Sequence, residues 1–272
     1  MKWNGLNNQY HNWISNFLIG DFGISYFDRL PIKQRIWSPL KWTLLINVIS
    51  IVLAFGISIP LGVYSADQKG RFWEKNSSLL LYMLYSIPAF WLATMLISFL
   101  ASQEFLYLFP SGGLHSYSED ANGFQRFINV CWHLILPVFC TTYIALAFMT
   151  RQVRRSMINT LGMDYMKTAK VKGLDHSTVL WKHGFRNSLF PIITIFSYVL
   201  PGTIAGSLII EVIFSIPGMG RLAFDAFMQQ DWPLVYTVAM LAAILTLAGN
   251  LLSDIVYAYV DPRVDLANQK NR

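Results

Sequence analysis

The chain has 272 residues, of which 54% are hydrophobic, 15% aromatic and only 13% charged; its net charge is +6 and its mean hydropathy +0.41. A soluble domain carries about 25% charged residues, so these figures exclude intrinsic disorder, set aside an ordinary water-soluble enzyme and indicate a membrane protein. The basic balance suits loops that hold one side of a bilayer better than a nucleic-acid site.

Residues 1–41 carry five basic residues and no apolar run long enough for a signal peptide or a span. Within them Trp13–Ile19 reads as a short interfacial helix, with Trp13, Ile14, Phe17 and Leu18 on one face. Five windows free of Asp, Glu, Lys and Arg follow: Trp42–Tyr64, Ser77–Gln103, Phe127–Thr150, Asn187–Ile210 and Trp232–Ser253. About 20 apolar residues cross a hydrocarbon core as a helix, so each window predicts a span and the fold class is an all-α polytopic bundle. Strand alternation is absent, which sets a barrel aside. Cys131 and Cys140 lie nine positions apart on one predicted helix, too far along its axis to bridge.

Lysine and arginine counts orient the spans. The 65–76 loop has three, the 151–186 loop eight and the C-terminal tail three, whereas the 104–126 and 211–231 loops have one each, Arg126 and Arg221. The first three are therefore expected in the cytoplasm and the other two outside. This places residues 1–41 outside with nothing in them to explain their translocation. The expectation is that a span preceding this chain is missing; the other reading is that the tail crosses with the first hairpin. The expected organisation is an extracytoplasmic segment 1–41, a membrane domain 42–262 and a cytoplasmic tail 263–272.

The large basic loop is the most informative stretch. Asp164 reads as an N-cap and Gly173 as the residue just past a helix C-terminus, with about eight helical residues between them. Tyr165, Thr168, Ala169 and Lys172 share one face, and the small residues at 168 and 169 admit a close partner surface. A second short helix is expected to start near Asp175 or Ser177, presenting Leu180 and Trp181 as exposed apolar groups that favour a protein partner over a merely solvated basic loop.

These residues carry a resemblance. Asp164-Tyr-Met-Lys-Thr-Ala-Lys-Val-Lys-Gly-Leu, followed by Trp-Lys-His-Gly-Phe-Arg-Asn-Ser-Leu-Phe-Pro at 181–191, resembles the cytoplasmic signature loop of binding-protein-dependent ABC transporter permeases. Lys167-Thr168-Ala169 stands where the family has Glu-Ala-Ala, and Gly173 falls at its glycine. The 18 residues from Gly173 to Pro191 resemble the longer form of the dipeptide, oligopeptide and nickel branch. Gly20-Asp-Phe-Gly-Ile-Ser25, Ile59-Pro-Leu-Gly62, Ser86-Ile-Pro-Ala-Phe-Trp91, the Glu211–Leu222 block and Asp261-Pro-Arg263 resemble other marks of that branch. Members of its first permease type begin with a span ahead of the Gly-Asp-Leu-Gly element; this chain starts after it.

The resemblance implies a type I ABC importer permease, located in the inner membrane and forming half of a two-permease pore. The partners it implies are a related second permease or a second copy, two ATP-binding subunits inside, and a solute-binding protein outside. Asp164, Tyr165, Lys167, Thr168, Ala169, Gly173 and Leu174 would form the coupling surface for an ATP-binding subunit. Peptides, nickel or another small solute are the implied cargo. No Walker A pattern, His-Glu-x-x-His, Gly-x-Ser-x-Gly or zinc spacing occurs, so no catalytic residue, metal or cofactor is expected in this chain. His133, inside a window, reads as a structural histidine.

Pro88, Pro201, Gly202 and Gly206 keep two readings: close helix packing, or bent helices whose freed backbone lines a translocation path. Glu211 and Asp254 border the last spans and are expected to be wet, interfacial carboxylates. The window centres hold no carboxylate, which argues against a proton-coupled transporter working alone. Aromatic residues Tyr107, Phe109, Phe224, Phe227 and Trp232 mark the outer loops as interfacial belts or, by the resemblance, as a docking face. A stand-alone transporter or channel, an intramembrane enzyme and a non-transporting remnant are the competing readings.

Overall fold

The computed structural model describes residues 8–116, 121–189 and 207–260. Among them the chain is helical apart from its connections and an isolated antiparallel bridge, Ile24–Pro31. Helix α1 (Gln9–Leu18) starts where the Asn8 side chain accepts the His11 amide, and its buried Phe17 packs on Trp13 and Phe22. Leu18 instead points out, 81% exposed, so a helix does form there but the apolar face expected of it is split.

Two long helices form the spine. Helix α2 (Ile32–Asp67) has 36 residues and α5 (Gly123–Leu161) has 39. Each is more than 50 Å long at about 1.5 Å per residue, so both overshoot a core of about 30 Å and outrun the windows that predicted them. The start of α5 is fixed by a capping box, with Asn122 and Gln125 each accepting the other's backbone amide.

In lipid, helices gain nothing from hydrophobic exclusion, so close contact must come from small residues. Ala54, Ser58, Gly62 and Ala66 recur every four residues on α2, and all four are buried. A side chain at Gly62 would begin 2.6 Å from the Val153 side chain of α5 and 2.9 Å from the Thr150 carbonyl. Nearer the middle, the Ser50 and Thr141 hydroxyls pair at 2.5 Å across the same interface.

The window 77–103 does not form the continuous span expected of it. Helix α3 (Phe72–Ser86) and helix α4 (Ala89–Leu96), the latter extended by a π-helical turn π1 (Ile97–Ala101), meet at an angle of 94°. Pro88 supplies no amide and pushes the preceding Ile87 out of the helical region, to φ −83° and ψ 124°. The carbonyl freed at Ile87 accepts the Tyr143 hydroxyl of α5 at 2.6 Å. The break is thus satisfied rather than exposed to lipid.

Beyond the large loop lie α6 (Asp164–Val171), a π-helical segment π2 (Thr178–Phe185), α7 (Leu208–Ile213), α8 (Met219–Met228) and α9 (Trp232–Val260). Of the expected spans, α2, α5 and α9 are long and apolar enough to cross a membrane, and the bent α3–α4 pair can count as a fourth. Most of the window 187–210 lies outside the described residues.

Three apolar clusters lie along α2. Ile32 and Ile36 pack with Met219, Ala226, Leu234 and Val238; Ile46 joins Leu134, Val138, Ile210 and Phe214; Val63 and Ala66 join Met149, Val153, Met157 and Leu180. The 211–231 and 151–186 loops therefore sit at opposite ends of α2, as alternation of spans requires. At the first end Ser25 and Asp231, both fully buried, are joined at 2.5 Å. Arg35 reaches Ser25 at 3.0 Å, Asp231 at 3.4 Å and Asp28 at 3.3 Å. The Leu30 amide, helped by Ser25 and Arg35, holds the Asp28 carboxyl below its usual range. This knot straps the segment before α2 to the start of α9.

Gly62→Ala is expected to lower the stability of the detergent-solubilised protein by about 1–3 kcal/mol through overpacking against Val153. Gly56→Ala on the same helix meets nothing within 4 Å and should leave the melting midpoint unchanged or raised.

Candidate functional site

The basic loop folds as an elbow at one end of the spine. Helix α5 continues beyond its charge-free window, carrying Arg151, Arg154 and Arg155, and ends at Leu161 with Gly162 as its cap. The eight-residue α6 then runs for about 12 Å. Asp164 is not its N-cap: Met163 is, and Asp164 opens the first turn, paired with Lys167 at 2.8 Å. That pair is 94% and 70% exposed and adds little stability. The Thr168 hydroxyl donates to the Asp164 carbonyl. Gly173 ends the helix at φ +74°, a conformation that disfavours other residues.

Asp175 then caps the next segment, accepting the Ser177 and Thr178 amides at 3.0 and 3.4 Å. The segment itself is π2 rather than the α-helix expected there. Its Gly184 faces the Met157 and Met166 methyl groups at 3.2 and 3.4 Å from where a Cβ would sit, which leaves room only for a glycine or a shift of those methyls.

The elbow is braced on three sides. Met166, Ala169 and Val179 form a small core with Leu161, joining α6 to π2 and the end of α5. Leu180 inserts between α2 and α5. Ser156 donates to the Ser188 carbonyl at 2.9 Å, and His176 contacts Asp67, the last residue of α2, at 3.1 Å. Trp181 packs edge-on against Tyr64 and Phe185.

The predicted coupling residues divide accordingly. Asp164, Tyr165, Lys167, Thr168, Gly173 and Leu174 are exposed and lie together on the outer side of the elbow. Ala169 does not belong with them: it is 7% exposed and faces inward beside Met166, so it cannot offer a surface to a partner. Leu180 and Trp181 are likewise not exposed; they are the anchor that ties the elbow to the spine. Val171, 89% exposed between two lysines, is an exposed apolar group on this side that sequence reading missed. Pro88 marks the α3–α4 break, and Pro201, Gly202 and Gly206 lie outside the described residues.

At the other end of α2 the Glu211–Leu222 block wraps a carboxylate. Glu211 is not the wet residue expected; it is 4% exposed. Its oxygens accept the Thr43 hydroxyl at 2.7 Å and the Arg221 amide at 3.0 Å, and Thr43 in turn accepts the Met219 amide at 2.8 Å. Gly218 and Gly220 lie so close that a Cβ on Gly218 would overlap the carboxylate and one on Gly220 would meet the Leu208 backbone at 2.6 Å. The glycines of the block are therefore required by contact with Glu211 and α7. Asp254, by contrast, is exposed. His133 is buried and satisfied by the Asn129 carbonyl at 2.8 Å, as a structural histidine should be.

The family described as "Binding-protein-dependent transport system inner membrane component" matches residues 58–266, a range that holds both the elbow and the Glu211 block. The chain belongs to this family. The permease is 39% identical to the oligopeptide transport system permease protein AppB of Bacillus subtilis (strain 168), over 94% of this chain and 80% of that protein. It is 32% identical to the dipeptide transport system permease protein DppB of Escherichia coli (strain K12), with the same coverage. Its fold matches a chain from inward-facing structures of the MetNI methionine ABC transporter, with a TM-score of 0.63 at 16% identity, covering 82% of this chain and 95% of that one. The permease is a multi-pass inner-membrane component with the type I importer fold, and it serves an ATP-driven ABC importer rather than working alone.

For this permease, Glu211→Ala leaves the Thr43 hydroxyl and the Arg221 amide without their acceptor, at about 1–3 kcal/mol for each buried group left unpaired. The expected result is a lower melting midpoint and a lower yield of folded protein. Melting followed by size-exclusion fluorescence checks it, with the exposed Asp254→Ala as a control that should leave both unchanged.

Proposed function

We propose that this permease forms half of the translocation pore of a peptide importer, with the exposed face of α6 seated on an ATP-binding subunit. The observation that carries the reading is the elbow: a short helix with Tyr165, Lys167, Thr168 and Val171 outward, whose inward face is packed on Leu161 at the end of α5 and on π2, which in turn docks on α2 and α5 through Leu180. An elbow packed in this way can pass a displacement of α6 through π2 to α2 and α5. ATP-bound and nucleotide-free subunits then shift the permease between states by binding those states with different affinity. Hydrolysis belongs to those subunits, and this chain contributes no catalytic group.

The pore is completed by a second permease, either a related chain or a second copy. The oligopeptide and dipeptide systems named for the two relatives support short peptides as the cargo. The lysine and arginine distribution supports a cytoplasmic elbow and C-terminus and an external 211–231 loop. That outer face, carrying the Glu211 block, is where a solute-binding protein would deliver cargo.

The substitution pair Tyr165→Asp and Val171→Asp should cut recovery of the ATP-binding subunits with the purified permease by about thirtyfold, the effect of losing about 2 kcal/mol at a contact hot spot. Membrane insertion and the melting midpoint of the isolated permease should not change, since both side chains are exposed. Recovery and peptide uptake at wild-type levels would overturn the coupling surface. For orientation, a reporter fused at Lys172 is expected to read cytoplasmic and one at Glu104 external; the reverse pattern would overturn the sidedness.

A further inference from the structure

The elbow side of the molecule holds a cleft that the coupling surface does not use. It has a volume of about 280 Å³, lies between α3 and α5, and is lined by Ser78, Tyr82, Arg151, Gln152, Arg154 and Arg155 among others. We propose that it binds the phosphodiester headgroup of an anionic phospholipid in the inner leaflet.

Charge is the first argument. Arg151, Arg154 and Arg155 stand at i, i+3 and i+4 on one helix, a spacing at which like charges repel. Among the described residues one acid answers them: Glu74 meets Arg154 at 2.6 Å. Glu74 also accepts the Gly70 amide at 3.2 Å and the Ser78 hydroxyl at 3.1 Å, so its oxygens are already engaged. Among the described residues neither Arg151 nor Arg155 has a carboxylate partner. Two guanidinium charges remain, and an anion in the cleft relieves their repulsion.

Geometry is the second argument. The Arg151 guanidinium lies over the rings of Tyr82 and Tyr85, 5.2 and 4.8 Å from their centroids. Stacking holds its face and leaves its N–H edge free for a planar or tetrahedral oxyanion. The Arg154 Nε is buried with no hydrogen-bond partner among the described residues, a donor still lacking an acceptor.

Depth selects the anion. The charge-free stretch of α5 ends at Thr150, so the three arginines begin where the hydrocarbon ends. Phe72 and Trp73, 73% and 79% exposed at the start of α3, are aromatic groups of the kind that settle at headgroup level. Basic pockets between membrane helices at this level take lipid phosphates. The choice of leaflet rests on the orientation proposed above; the binding itself does not.

The test uses the permease purified with its partner subunits in nanodiscs containing phosphatidylcholine and phosphatidylglycerol, with retained lipid counted by native mass spectrometry. Wild-type complex should retain phosphatidylglycerol preferentially, and Arg151→Gln with Arg155→Gln should reduce that preference by about 25-fold, at about 1 kcal/mol for each basic residue. Arg155→Gln alone, an exposed change, should reduce it about fivefold and reads the proposal even if the double variant fails to assemble. Lys69→Gln, exposed on the neighbouring loop, should have no effect. Equal retention by wild type and variants would overturn the proposal. So would displacement of the lipid by a soluble dipeptide, which would assign the cleft to a peptide carboxylate. The Lys172 reporter reads the orientation separately, so failure of one reading is distinguishable from failure of the other.

Discussion

The close approach of α2 and α5 is the constraint on which the rest of the molecule depends. Lipid tails are as apolar as the side chains they would replace, so association inside a bilayer rests on packing and on internal hydrogen bonds. The stripe Ala54, Ser58, Gly62 and Ala66 brings α2 onto Val153 and Thr150 of α5 with no room for a larger residue at Gly62. The Ser50–Thr141 contact fixes the same interface where side chains are longer. Several other elements dock on these two helices: the broken α3–α4 pair through Tyr143, the elbow through Leu180, and α7 through Thr43.

A spine of this length joins two functional ends. Thr43 at one end of α2 holds Glu211 and so the glycine-rich block, while Asp67 and Ala66 at the other hold the elbow through His176 and Leu180. The stretch between them is helix throughout, with Pro60 inside it leaving the helix unbroken. Motion of packed elements as rigid bodies is a common way for small displacements to be carried across a domain. Here both ends are clamped by buried contacts, so the spine satisfies the mechanical requirement for such transmission.

Much of this was legible in the sequence, and the failures have physical causes. The charge-free windows located α2, α5 and α9 because lipid forbids charge, but they missed the ends of the long helices, since a helix does not stop where hydrocarbon stops. Pro88 signalled a bend but not its size, which depends on Tyr143 being available to take the Ile87 carbonyl. Gly173 and Asp175 punctuate the elbow as helix chemistry requires. The inward face of α6 was misassigned because a helix of eight residues offers two overlapping arcs that share Ala169. Met166 decided between them, and its burial depends on Val179, ten positions beyond Ala169. Glu211 was misread because an acid beside a span is wet by default; its burial depends on Thr43, which lies 168 positions away in sequence.

The treatment of carboxylates ties the fold to its energy source. Glu74, Glu211 and Asp231 are all buried, and each is met by donors already in place: Arg154 with Ser78, Thr43 with the Arg221 amide, and Ser25 with Arg35. All three lie outside the five charge-free windows, where they hold loops and helix ends in register. A carboxylate engaged in this way is poorly suited to load and release a proton with each cycle, because protonation breaks the contacts that position the loop. With these carboxylates committed to structure and the five windows free of Asp, Glu, Lys and Arg, the window centres offer no carboxylate with which to couple transport to a proton gradient. The work of moving solute must then enter mechanically, and the coupling proposed at the elbow suits such an entry, because the elbow is packed at its inner face and open at its outer one.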